Sequence, residues 1–180
     1  MPKKRPMLWQ LYPALLFIAL LSILSVSWYS VRFLNSFYLR QVSRDLEARA
    51  RLVEDRILPL LTHPNIEKID EICKSMGRRA KTRITVVGPD GKVYGDSHHD
   101  PLTMDNHASR PEIRAAMREG AGEAIRFSRT LQRKLMYKAI VVRKGKTILG
   151  IVRTSIPVDA VDKALHAIQQ KIALAGLLLH

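Results

Sequence analysis

Apolar residues run without a single charge from Met7 to Val31, and beyond Val31 charged residues break the pattern into shorter periods. An uncharged run of that length can cross a hydrocarbon core, which takes roughly 20 apolar residues at about 1.5 Å rise each. Trp9 and Tyr12 lie near one end of the run and Trp28 and Tyr29 near the other, where rings of mixed polarity favour the two interfaces. From Phe33 to Leu61, Leu39, Val42, Leu46, Val53, Ile57 and Leu60 recur at helical spacing with charges between them. The spacing predicts one long amphipathic helix continuous with the apolar run. Arg49 and Arg56 interrupt the strictest heptad, so a coiled-coil seam and packing onto the chain's own domain are both open. Pro59 and His63-Pro64-Asn65 end this helix. A second helix is expected from Ile66 to Arg79, with Ile66, Ile69, Ile72, Cys73 and Met76 on one face. That face makes Cys73 a buried small hydrophobe.

After Lys81 the period shortens. Arg83 to Val87 is a β-branched run, Pro89-Asp90-Gly91 a turn, and Lys92 to Tyr94 the returning strand. Asp96 to Ser109 reads as a polar loop and Pro111 to Glu119 as a short helix, with Ser109 and Glu112 at capping-box spacing. Three more strands are expected at Glu123 to Leu131, Leu135 to Arg143 and Thr147 to Pro157. Val161, Leu165 and Ile168 return to helical spacing, leading into the apolar Ile172 to Leu179. The fold class is therefore α+β. A transmembrane helix continues into a long helix, a five-stranded antiparallel sheet follows, and an exit helix enters a truncated second transmembrane segment. The expected divisions are 1–6 as N-terminus, 7–31 as membrane helix, 32–81 as helical stalk and second helix, 82–157 as the domain, and 158–180 as the exit.

Charge sets the orientation. Lys3, Lys4 and Arg5 precede the apolar run, so the positive-inside rule places the N-terminus in the cytoplasm and the domain outside the inner (plasma) membrane. The run is longer than a signal-peptide core and no A-x-A site follows it, which favours an uncleaved anchor. The formal net charge is +14, an excess that suits anionic partners. The single cysteine excludes an intramolecular disulfide. There is no G-x-S-x-G, P-loop or H-E-x-x-H pattern, so no catalytic residue and no cofactor is expected in this chain. The basic short helix lacks aromatic interleaving, which argues against nucleic acid.

Asp96 to Ile113, Gly120-Ala121-Gly122, Arg126 to Leu131, Met136-Tyr137 and Val152 to Pro157 together resemble the extracytoplasmic sensor region of phosphate-regulon-type (PhoR-like) histidine kinases. The resemblance covers about Thr82 to Asp162 and rests on short pieces in the right order. It implies a PAS/Cache-like fold between two membrane helices, with a kinase core that is not in this sequence; a homodimer is expected through the helix from Phe33 to Leu61. A cytoplasmic response regulator would be reached only through that core. The alternative is a membrane-anchored domain that binds an anionic ligand, a lipid or a membrane-protein partner without a signalling output.

Two residue groups are candidates for chemistry. Arg110, Arg126, Lys138 and Arg153 fall on the short helix and on strands that a PAS-type sheet would bring together, with Ser128 and Tyr137 as neutral donors. Guanidinium groups of this kind bind carboxylate or phosphate in a bidentate manner, and the competing reading is the wet face of an antiparallel sheet. Asp96, His98, His99, Asp100 and His107 supply imidazole and carboxylate ligands suited to a divalent metal. Their spacing matches no standard zinc motif, so a solvated loop and a histidine pH switch are the other readings.

Overall fold

A computed structural model describes residues 7–128 and 131–158. Helix α1 covers Met7–Leu61 and α2 covers Ile66–Ala80. Strands β1 (Arg83–Val87) and β2 (Val93–Asp96) follow, then a 3-10 turn at Pro101–Thr103, helix α3 (Pro111–Glu119), and strands β3 (Ala121–Ser128), β4 (Arg133–Lys144) and β5 (Thr147–Pro157). The chain divides between Arg40 and Gln41 into two units. The exit helix expected from Val158 and the second membrane segment expected from Ile172 lie outside the described residues.

In the first unit the apolar side chains of α1 point outward. Leu15, Phe17, Ile23, Val26 and Trp28 are each more than half exposed. Among the described residues this is the one helix long and apolar enough to cross a membrane. The hydroxyls of Ser22 and Ser25 donate to the carbonyls of Ile18 and Leu21 at 2.8 Å, so their polar groups are satisfied inside the helix.

The second unit is a five-stranded antiparallel sheet, in the order β2-β1-β5-β4-β3, with helices on both faces. Strand alternation sorts its side chains. Ile84, Val86, Ile140, Val142 and Val152 pack with Ala50, Val53 and Ile57 of α1 and with Ile69 and Cys73 of α2. From residue 41 onward the amphipathic helix thus covers its own sheet. Cys73 is fully buried, and burial pushes its thiol pKa well up. On the opposite face Val87, Ala139, Val141 and Ile151 pack against Ile113 and Ala116 of α3.

Local signals explain the ends of the elements. The Asn65 side chain accepts from the Lys68 amide at 3.0 Å and caps α2. Gly91 takes φ +85° in the β1–β2 turn, where Asp90 accepts from the Lys92 amide at 3.0 Å. α3 departs from expectation. Arg110, not Ser109, is its N-cap residue, and no side chain caps it. The Ser109–Glu112 capping box does not form because Glu112 turns inward to two arginines. Strand β3 ends at Ser128, and β4 begins at Arg133 rather than Leu135.

Candidate ligand site

Several buried polar residues of the sheet lie on the α3 face. Thr85 of β1 stands opposite Arg153 of β5, and Arg153 stands opposite Ala139 of β4. Arg83, Tyr137 and Arg126 share this face by the same alternation. Above them lies the loop after β2, as far as Arg110 at the start of α3, bounding a cavity of about 510 Å³. Its lining includes Arg110, Arg126, Ser128, Tyr137 and Arg153, together with Arg83, His99 and His107.

Glu112 organises the cations. Its side chain has no exposed surface. Arg126 donates to it in a bidentate manner at 2.8 and 3.3 Å, and Arg153 Nη1 donates at 3.1 Å. Both guanidinium groups lie over the Tyr137 ring, at 4.1 and 5.1 Å from its centroid, close enough for cation–π attraction. Burial alone would raise the Glu112 carboxyl. The Arg126 hydrogen bonds and the Arg153 charge outweigh it and hold the group below its usual value.

From Arg153 a buried chain crosses the sheet. Its Nη2 donates to Thr85 Oγ1 at 3.1 Å, and the Thr85 hydroxyl donates to Asp96 at 2.7 Å. Asp96 also accepts from Arg83 Nε at 3.1 Å and from the amides of His98 and His99 at 2.9 and 3.1 Å. Burial raises the Asp96 carboxyl, but Arg83, Thr85 and the His98 amide together bring it below the usual value. The Asp96 amide in turn donates to Asp70 of α2 at 3.0 Å.

Three buried side-chain nitrogens among the described residues lack any hydrogen-bond partner: His99 Nε2, Arg110 Nε and Arg153 Nε. All three belong to residues lining this one cavity. A buried polar atom left unpaired costs roughly 1–3 kcal/mol, more when charged, so the cavity favours an acceptor-rich guest. Arg110 makes no ion pair with any described residue. His107 Nδ1 lies 2.8 Å from the Asp105 carbonyl. Burial, with the charge of Arg153 next, pulls its pKa down to about 4.

Five of the six residues expected to form an anion pocket line the cavity. Lys138 does not. It follows Tyr137 directly, so its side chain emerges on the other face, 3.1 Å from Glu47 and 3.6 Å from Glu123. The five residues considered as metal ligands take separate roles. Asp96 is occupied by the bonds above, and Asp100 caps the 3-10 turn through the Leu102 amide. His98 meets Ser97 Oγ at 2.8 Å, while His99 and His107 line the cavity. Among the described residues no three His, Cys, Asp or Glu side chains converge as a metal site. Sequence reading missed Glu112, Arg83 and Thr85. The signal for Glu112 was its place one turn before Ala116, on the buried stripe of α3. For Arg83 and Thr85 it was their alternation with Ile84 and Val86.

Solved structures give the fold. The chain is similar to the sensor domain of the Vibrio cholerae histidine kinase DctB, with 13% identity, 79% of this chain and 58% of that one covered, and a TM-score of 0.64. It is similar to the Escherichia coli DcuS sensor domain, with 14% identity over 71% of this chain and 96% of that one and a TM-score of 0.57. It is also similar to the sensory domain of the Campylobacter jejuni chemoreceptor Tlp3, with 15% identity over 73% of this chain and 59% of that one and a TM-score of 0.57. The match thus spans less than two thirds of the DctB and Tlp3 chains. No protein-family model matches the chain, and no curated protein does. The fold is α+β, a long N-terminal helix followed by a PAS/Cache-like five-stranded antiparallel sheet.

Proposed function

We propose that this chain is the extracytoplasmic sensory input module of a membrane-bound two-component histidine kinase of the phosphate-regulon type, and that the cavity beneath the loop after β2 receives a small anion. The observation that carries the anion reading is the convergence of three unpartnered buried nitrogens on one arginine-lined cavity. The sensory part rests on the fold shared with kinase and chemoreceptor sensor domains and on the resemblance of Thr82 to Asp162. Lys3, Lys4 and Arg5 before the apolar run favour a cytoplasmic N-terminus. The kinase core would follow the present sequence, and a homodimer would be the working form.

The geometry offers a route for a signal. An anion accepted by Arg110, at the start of α3, and by the free Nε of Arg153, on β5, draws the helix toward the sheet. The other bonds of Arg153 run through Thr85 and Asp96 to Asp70 on α2. A change at the cavity therefore meets a chain of discrete polar contacts ending on a helix.

The test is a panel of small carboxylates and inorganic phosphate added to the full chain in phosphatidylcholine nanodiscs, read by heat denaturation. At least one anion should raise the midpoint. Arg110→Ala should weaken that anion about 10- to 100-fold, the worth of a charge-assisted hydrogen bond, without unmaking any ion pair of the fold. Arg126→Ala and Arg153→Ala should abolish the shift. A midpoint unmoved by every anion would remove the site from the account.

A further inference from the structure

A second cavity, of about 650 Å³, opens where α2 ends and β5 leaves the sheet. Arg83 lines both cavities. The second carries Arg78, Lys81, Arg83 and Arg133, and no carboxylate is among the described residues of its lining. Arg83 is held by Asp96, but neither Arg78 nor Lys81 makes an ion pair with any described residue. Arg78 lies in the last turn of α2, where a cation complements the helix dipole. Lys81, the C-cap residue itself, complements the same dipole. It sits at φ 48° and ψ 41°, the left-handed cap position that favours glycine because a Cβ is crowded there. Backbone conformation favours glycine at 81, yet the position carries a cation beside a cavity whose described lining holds no acid. Leu131, Leu135 and Pro157 line the same cavity, so its chemistry is divided between cationic and apolar parts.

We propose that this second cavity binds an amphiphilic phosphate ester, its phosphate between Lys81 and Arg78 and its alkyl portion against Leu135 and Pro157. A soluble alkyl phosphate and the headgroup of an anionic phospholipid share this chemistry. The site is distinct from the first cavity, with which it shares Arg83.

The experiment is isothermal titration calorimetry on the full chain in phosphatidylcholine nanodiscs, with hexyl phosphate and inorganic phosphate as probes. Hexyl phosphate should bind at least tenfold tighter than inorganic phosphate. Lys81→Gly should weaken hexyl phosphate at least tenfold while raising the heat-denaturation midpoint, a combination that a purely structural lysine would not give. Arg143→Ala, which removes an exposed cation outside both cavities, should leave the affinity unchanged. Adding phosphatidylglycerol to the nanodisc assigns the source. Competition with hexyl phosphate identifies the lipid headgroup, and undiminished binding identifies a soluble ester. Equal affinity for the two phosphates, or full affinity in Lys81→Gly, would overturn the proposal.

Discussion

Glu112 shows what a single residue does in this domain. A carboxylate without exposed surface is tolerated only when its charge is matched, because an unpaired buried ion is costly. Here Arg126 and Arg153 match it, and it aligns both for the cavity. Glu112→Gln keeps the shape and removes the charge, leaving two crowded guanidinium groups. It should cost about 3–5 kcal/mol, the range for breaking a buried pair, measured by urea unfolding. The titrating groups give a pH profile. Asp96 and Glu112 lie below their ordinary values in the fold. Their stabilisation is present above the ordinary carboxylate range and is lost as pH falls through the folded values. His107 drops from 6.5 to about 4. Between those values the unfolded chain takes a proton that the folded chain refuses, so stability declines as pH falls from 6.5 toward 4, by ~3 kcal/mol. His107→Asn should flatten that part of the curve. At this scale sequence reading went astray over direction. Tyr137 and Lys138 are neighbours on one strand, and period-2 alternation forbids both from facing one cavity. Ser109 and Glu112 had the spacing of a capping box, but the two guanidinium groups are stronger partners for Glu112 than the backbone amide such a box would give it.

At the scale of elements, α3 matters because it carries Glu112, which holds Arg126 and Arg153 of the cavity lining, and Gly122 sets how closely it lies on β3. A Cβ at 122 would collide with the Glu112 carbonyl and come within 2.7 Å of the Ala116 amide nitrogen. Gly122→Ala should therefore lift α3, cost about 1–3 kcal/mol as an overpacked contact, and, by moving Glu112, weaken any anion bound by Arg126 and Arg153. Asn65→Ala should cost ~1 kcal/mol through loss of the α2 cap, with anion affinity retained; both effects are read by denaturation and calorimetry. Elements with strong local signals were legible in the sequence. β1, β5 and α3 fall at their expected bounds, and α2 ends one residue later than expected. The pairing of β1 with β5 was not legible. It joins segments more than sixty positions apart, as Thr85 and Arg153 show, and no local pattern encodes a partner so distant. That pairing puts Thr85 against Arg153 and so connects the cavity to Asp96. The chemical types of the pocket could be read, whereas its floor required the topology.

At the scale of the whole molecule, the chain joins an outward-facing apolar helix to a sheet domain with a cation-rich cavity, under a net charge of +14. These are the parts an anion receptor tied to a membrane needs, and the sensor-type fold makes signalling the use proposed for them. A topology reporter fused after Lys81 should read outside the cytoplasm, and cytoplasmic readout would reverse the orientation. The most direct measurement joins residues 1–180 to a histidine-kinase core in nanodiscs and follows autophosphorylation as the stabilising anion is titrated. The account predicts a change in phosphorylation at the concentration that half-saturates the cavity, moved to about 10- to 100-fold higher concentration by Arg110→Ala. Phosphorylation that stays constant while the cavity fills would contradict it.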